Sequence, residues 1–580
     1  MAFSQPSPQN GVVDWTQAGL LNDIPTPSSF VSVSDFGAIG DGFSDDTQAV
    51  LDALEEIDGE NAILYFPSGT YLLSQSINCY SGLTIRGQGS NETHLKFFLN
   101  SDSQNAINIS EGQNTDFVPI NSGYGKGSQV ITVDDASEFQ AGEFLEIKQE
   151  NGDWDISPAS WAANSVGQVV QIESINGGEI SLKNALRFTY TPSLNPVVRK
   201  IQTIQNVLIE NLKVERMDAP SNGGGKNIYL AYAVNCQVSG LESVKSQGSH
   251  LYATVSSNLY VFGNYFHDSF LYDGAATRGY GVTLNMHTGE VLVENNIFKN
   301  LRHAMVVKTG ANGNVFSYNY SREPHRSEPI SDYSGDISVH GHYAYANLFE
   351  ENIVQNIIID HYWGPGGPCN TFFRNRTELY GFIMTSNSEL ETSEQNIVGN
   401  EITNSFPYGF YAITGQDHLE YGNNDGGTAV PQNTEDFNEA SSFYSDHPWF
   451  LESSYPFPGI GYPNTIGQWS IPAKDRYEQG DEMTVIIENT VGIDIELPNQ
   501  KEEFVKIKDN SVQDFLEMKI ATNEILQYSI FNISGQELLS GELSNRSGDS
   551  KINISRMTSN MYLVRFNTAH HQKCFKFFKE

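Results

Sequence analysis

Eight of the 13 histidines lie between residues 250 and 361: His250, His267, His287, His303, His325, His340, His342 and His361. The same stretch carries Arg278, Lys299, Arg302, Lys308, Arg322 and Arg326, in a 580-residue chain whose 33 Lys+Arg face 70 Asp+Glu for a formal charge of -37. Cations gathered in so acidic a chain need an anionic partner. The overall negative field repels phosphate backbones and anionic lipid heads, which argues against sequence-independent nucleic acid or membrane binding, while local cations on an extended flank suit a chain polymer, an anionic polysaccharide that is uronate-containing or sulfated.

For a uronate polymer, β-elimination needs a cation on the carboxylate, a base for the adjacent carbon proton and an acid for the leaving oxygen. His303 is the first expected base because imidazole is neutral near pH 7, with Arg302 beside it and Lys308 the next choice if its pKa is depressed. In an extended strand Arg302 and His303 point to opposite faces, so a bend must intervene for both to serve. Arg278 and Arg326 are expected as carboxylate clamps, and Tyr280 or His361 as proton donor. Arg322, His325, His340 and His342 are further candidates for binding substrate. His340 and His342 share a face under period-two geometry and, with Asp360 or His361, also suit a transition metal. Trp363, in the Gly/Pro-rich stretch Tyr362 to Pro368, can stack on a sugar. Asp268 and Asp273 suit Ca²⁺, or with Asp336 and Asp360 the carboxylate pair of a glycoside hydrolase. Each of these residues also has a structural reading, because corners and loop bases need side-chain hydrogen bonds. The elimination itself requires no cofactor, and a non-catalytic carbohydrate-binding or adhesion solenoid is the alternative of a different class.

What positions such residues is a repeat. Aligning short apolar pieces ending in Asn or Gly marks residues 211, 240, 264, 296, 319, 352, 375, 400 and 423, at intervals of 29, 24, 32, 23, 33, 23, 25 and 23. A unit of 23 to 25 residues cannot bury its own apolar side, whereas stacked copies can, each adding about 4.8 Å to a parallel β-solenoid. The recurring Asn suits a corner, entering left-handed backbone space and bonding to Asn in the next coil. The longer intervals predict loops on one flank, including residues 272–280 and 322–329. Ahead of the repeats, Gly37, Gly40 and Gly42 permit tight backbone geometry, and Asp45 or Asp46 caps a predicted amphipathic helix over residues 46–57 that closes the solenoid's open end.

The expected organisation is all-β: an N-terminal arm (1–29), a right-handed parallel β-helix (30–440) with its capping helix, an aromatic and Pro-rich wrapping tail or linker (441–481), and a small β-sandwich (482–580). The last segment shifts in composition, holding 11 of the 33 Lys+Arg after residue 500. Strands are predicted there at 484–488, 503–508, 525–532, 551–554 and 561–566, while residues 90–200 cannot be phased. Four scattered cysteines, Cys79, Cys236, Cys369 and Cys574, predict neither a disulfide scaffold nor a zinc site. No run of about 18 apolar residues predicts a membrane span.

The stretch Asp35 to Val50, followed by Tyr65-Phe66-Pro67-Ser68-Gly69-Thr70-Tyr71, resembles the opening motif of the pectate-lyase-like superfamily. That resemblance implies a right-handed parallel β-helix and, in many members, a secreted polysaccharide lyase or glycoside hydrolase. Tyr528 to Leu538 and Asn560 to Phe566, with the basic end Lys573 to Lys579, resemble the type IX secretion sorting domain of Bacteroidota. This implies export through the type IX machinery, to a secreted or cell-surface location. The motifs of polygalacturonase-type hydrolases are absent: the nearest material, Val339 to Tyr343 and Arg302 to Lys308, matches neither their Gly-His-Gly nor their Arg-Ile-Lys. The expectation is a lyase on an acidic glycan.

Overall fold

The computed structural model describes residues 13–487 and 505–579, apart from residues 58, 113, 275, 332–333, 385–389, 406, 481, 509–510, 522–525, 533–536, 544–546 and 568–571. Residues 1–12 of the expected arm lie outside the described residues.

Through the middle of the solenoid, strands too short to be stable alone pair with the equivalent strand one coil away rather than with the strand beside them in sequence. His303–Val307 lies parallel between Tyr280–Asn285 and Ile337–His340. Val315–Ser317 lies between Leu292–Glu294 and Leu348–Glu350, and Ile297–Lys299 pairs with Tyr320–Arg322. Each coil thus supplies one strand to each of three parallel sheets, numbered in chain order within a coil: the first holds Leu292–Glu294 and Val315–Ser317, the second Ile297–Lys299 and Tyr320–Arg322, and the third Tyr280–Asn285 and His303–Val307; inward side chains meet their own equivalents. Phe316, Phe349 and Phe372 stack face to face at 5.1 and 5.2 Å. The predicted helix spans Thr47–Ile57 and buries Val50, Ala53 and Ile57 against Val33 and Leu64 at the end of the core. Gly37, Gly40 and Gly42 all take positive φ. Asp46 accepts the amides of Ile39 and Gly40, so Asp45 is the side chain that accepts the Thr47 amide at the helix start.

The Asn ladder forms. Asn264, Asn296, Asn319, Asn352, Asn375 and Asn400 each pass an amide hydrogen bond of 2.8–3.0 Å to the next, ending at Asn423. The left-handed residue is the one before the ladder position: Asn295, Tyr318, Glu351 and Arg374 have φ of 58°, 54°, 53° and 53°. The Asn itself instead satisfies carbonyls that the corner leaves unpaired, as Asn352 does for Phe316. Asn211 and Gly240 occupy the left-handed position, so the ladder positions in those coils are Leu212 and Leu241. A second corner carries its own ladder, Asn314, Asn347, Asn370 and Gln395, which the repeat alignment missed.

Residues 118–201 leave the solenoid as an insertion. They form a six-stranded sheet joined through antiparallel ladders with its own core of Ile131, Leu145, Val170, Ile172 and Leu182. Buried contacts fix it to the coils: Glu146, paired with Arg199 inside the insertion, also meets the His287 ring, and Arg187 pairs with Glu290. The tail after residue 430 wraps back over the first sheet, where the Arg374 guanidinium donates to the carbonyls of Glu439, Ile460 and Tyr462.

The first compact unit runs to Asn489, further than the expected boundary at 482. Residues 484–487 form no strand: Val485 donates its amide to Gly263 and Ile487 to Asn211, docking this segment on the solenoid. The second unit is a two-sheet β domain around Leu516, Ile530, Val564 and Phe577. It includes Phe515–Ala521, Glu537–Leu543 and Gln572–Lys579, which were not among the predicted strands. No helix among the described residues is long and apolar enough to cross a membrane.

Candidate active site

The outward face of the third sheet carries a column in strict register: Tyr252, Thr283, Val306, Ser338, Ile358, Ile383 and Ala412. Beside it, two positions along each strand, run Thr254 and Asn285, and further along His340 and Asp360. Over this column opens a cleft of about 200 Å³ lined by Arg302, His303, Arg326, His340 and Asp360 among others.

His340 ends the strand Ile337–His340, and its Nδ1 lies 2.7 Å from Oδ2 of Asp360, one coil on. Asp360 accepts the Tyr362 amide on its other oxygen. Burial opposes ionisation of Asp360, but the His340 hydrogen bond and charge outweigh it and hold its pKa near 2. The carboxylate is therefore ionised throughout the working range and fixes the His340 tautomer with Nε2 as the lone-pair nitrogen whenever the ring is neutral. The His303 ring lies 5.7 Å from that of His340, and its Nδ1 is 3.0 Å from the Gly335 carbonyl, so it donates there. Burial, then Arg302 and His340, push the His303 pKa well below the usual imidazole value, which keeps it neutral and makes it a weak base.

Tyr280, 3% exposed, meets His303 edge-on at 4.8 Å and lies under the Arg302 guanidinium at 5.9 Å. Burial raises its pKa to about 12 despite Arg302, so the phenol keeps its proton. The conflict between Arg302 and His303 is resolved by a bend: both amides donate to the Gly279 carbonyl, the strand begins only at His303, and both side chains line the cleft. Lys308, one residue past that strand, has Nζ 4.6 Å over the Trp161 ring. Burial, then repulsion by Lys226, lowers its pKa to about 8.

Trp161 was not among the expected residues. It sits on the short 3-10 turn Ser160–Ala162 of the insertion, 46% exposed, with its ring 4.8 Å from His342 and 5.8 Å from Trp363. Gly341 makes this packing possible, because a Cβ there would lie 2.6 Å from the Trp363 Cβ. The segment holding Trp161 has no repeat phase, so nothing in the sequence connected it to the coils.

Several expected residues lie elsewhere. His340 and His342 do not share a face: the strand ends at His340, Gly341 and His342 take positive φ, and His342 turns under Trp161 with its Nε2 3.3 Å from the Ser157 carbonyl. His361 is buried with its Nδ1 2.8 Å from Oγ1 of Thr392, away from the cleft lining. Arg278 is held by the Asp273 carbonyl and Asn222. Arg322 reaches toward Gln355 and Glu378 on the second sheet, and His325 packs on Tyr272. Arg326 does line the cleft, with its guanidinium on the carbonyls of Pro329 and Ile330.

Asp268 is engaged by His267 and Asn300, and Asp273 by the Ser327 amide. No group of three or more His, Cys, Asp or Glu side chains is placed to hold a metal among the described residues. Asp336 is fully buried on Ser321 and the Gln355 amide, with its pKa raised to about 7 by burial. Asp360 is the only carboxylate of the cleft among the described residues.

Residues 30–166 match the family model described as rhamnogalacturonase A/epimerase, pectate lyase-like, and residues 506–580 match the secretion system C-terminal sorting domain. Both resemblances read from the sequence are thus upheld, and the sorting domain marks the chain for secretion or the cell surface. The first match covers the cap, the early coils and part of the insertion, and ends before the cleft. Plasmin and fibronectin-binding protein A of Streptococcus pneumoniae is 23% identical over 295 residues, which are 43% of this chain and 37% of that protein. The Pseudomonas phage phi297 tailspike gp61 is 13% identical with a TM-score of 0.48, over 70% of this chain and 74% of that one. An exopolygalacturonase from Thermotoga maritima is 10% identical with a TM-score of 0.37, over 66% of this chain and 83% of that one.

Proposed function

We propose that this secreted β-helix protein is a polysaccharide lyase that cleaves an acidic glycan by β-elimination in the cleft over its third sheet. The observation that carries the reading is the His340–Asp360 pair, 2.7 Å apart, set among Arg302, Arg326 and His303 with Tyr280 beneath. Arg302 and Arg326 neutralise the substrate carboxylate, which acidifies the adjacent carbon proton. His340, oriented by Asp360, takes that proton; the carbon–oxygen bond on the neighbouring carbon breaks as the double bond forms; and Tyr280 returns a proton to the leaving oxygen. His303 is too weak a base for the abstraction and serves as a neutral hydrogen-bond partner, so the role first given to it passes to His340. Lys308, Trp161 and Trp363 hold the adjoining sugars. No role is assigned to Ca²⁺ at Asp268 or Asp273. A two-carboxylate hydrolysis lacks its second group among the described residues of the cleft.

Incubation with a panel of acidic polysaccharides, followed by the ultraviolet absorbance of unsaturated uronate ends, tests this reading. His340→Ala is expected to abolish the absorbance and Asp360→Asn to reduce kcat about 100-fold or more, both with unchanged thermal transitions. New reducing ends without the chromophore would replace elimination with hydrolysis. Binding without either product would make the solenoid an adhesin.

A further inference from the structure

Immediately beyond the candidate cleft, the same sheet face changes character. Ser338 and Ile358 line the cleft; the next two residues of that register column, Ile383 and Ala412, line a second cavity of about 410 Å³. Its other walls are Ile330, Tyr380, Pro407, Tyr408 and Phe410, so no charged side chain contributes to it among the described residues. The two cavities are also joined through the loop, because Arg326 of the cleft hydrogen-bonds to the carbonyl of Ile330 of the second cavity. Ile330 and Tyr408 are 58% and 60% exposed, so two large apolar side chains stand at the solvent edge of one groove. Successive coils are about 4.8 Å apart, so a chain lying along the column past His340 must pass over this cavity.

A cavity walled by apolar and aromatic groups, without a cation, is a poor host for an ionised uronate and a good host for a methyl group and the apolar face of a sugar ring. We infer that it is a subsite for an uncharged, methyl-bearing sugar unit, next to the uronate that reacts. This rests on the proposed path of the glycan along the third sheet. The substrate is then a mixed polymer in which charged units adjoin units carrying an ester or a deoxy-sugar methyl, rather than a uniform polyuronate.

The test separates binding from turnover. With the full chain carrying His340→Ala, affinity is measured by calorimetry for three polymers: an acetyl- or methyl-esterified polyuronate, the same polymer after mild alkaline removal of its esters, and a heteropolymer of uronate and deoxy-sugar. At least one methyl-bearing polymer is expected to bind about tenfold more tightly than the de-esterified one. Tyr408→Ala and Ile330→Ser, both at exposed positions, are each expected to erase that preference while leaving affinity for the de-esterified polymer unchanged. Preference for the first polymer assigns the methyl to an ester, and preference for the third to a deoxy-sugar. Equal affinities for all three polymers, or variants that weaken all of them alike, would overturn the subsite. Should the wild-type chain prove unable to eliminate while the preference persists, the lyase reading falls and the subsite stands.

Discussion

Lys308, beside the cleft and against the Trp161 ring, changes charge within an ordinary assay range. Burial and Lys226 bring its pKa down to about 8, so it is cationic below that pH and neutral above it. Its attraction for an anionic sugar is therefore present below pH 8 and lost as pH rises through that value. The apparent KM for an acidic polymer is expected to climb several-fold between pH 7 and 9, and Lys308→Met should show the higher KM at both ends with the slope removed; initial-rate measurements at fixed ionic strength check this. Trp161 contributes differently, through ring area rather than charge. Trp161→Ala is expected to raise KM about tenfold with kcat within a factor of two, since the ring touches no reacting atom in the proposed pathway; an equal loss in kcat would move it into the catalytic machinery. At this scale the sequence showed the concentration of His, Arg and Lys, and it named His303, Arg302, Tyr280, Arg326, Lys308 and His340. It did not show that His303 would be weakened by burial or that Asp360 would orient His340, because both depend on which coils become neighbours.

Among the elements, the wrapping tail is held to the coils through buried carboxyl groups. Glu350 accepts from Ser441 and the Ser442 amide, Glu351 from the amides of Gly459 and Ile460, and Glu294 from the Tyr444 hydroxyl. Burial raises the pKa values of Glu294 and Glu350 to about 7 and that of Glu351 to about 8. The folded pKa lies above the unfolded one in each case. Their favourable contribution is therefore complete below about pH 4.5 and is lost as pH rises through 7 to 8. Denaturant titrations of the chain between pH 5 and 8.5 should show stability falling with pH, and Glu351→Gln should lower the steepest slope by about 1.4 kcal/mol per pH unit, one proton's worth. A slope unaffected by that change would show that Glu351 ionises without disturbing the tail. The insertion teaches the opposite lesson about legibility. Its strands pair antiparallel and outside the 23-residue period, so a search for repeats passes over it, although it meets the coils through Arg187–Glu290 and Glu146–His287 and carries Trp161 against His342 and Lys308.

The whole molecule divides into two compact units, residues 1–489 and 490–580, each with a core of its own. All the described residues that line the cleft belong to the first. Ending the chain after residue 489 is expected to leave kcat and KM unchanged within a factor of two while abolishing export by the type IX route, read as activity in the medium against activity in the cells. A truncated protein that folds but has lost turnover would place part of the active site in the sorting domain.

The spacing of Asn, Gly and apolar residues was enough to specify a stacked solenoid, its capping helix and an Asn ladder, because a unit that cannot bury its own apolar face leaves only copies of itself to bury it against. Even there the left-handed corner residue was read one position late, since the ladder and the turn are adjacent in every coil and differ only in backbone angle. Which side chains share a groove was decided by the tertiary structure. Residues 280, 303, 340 and 360 come together only because coil register places them there, Trp161 reaches Lys308 and His342 only through the insertion, and burial sets which of these groups can hold a proton.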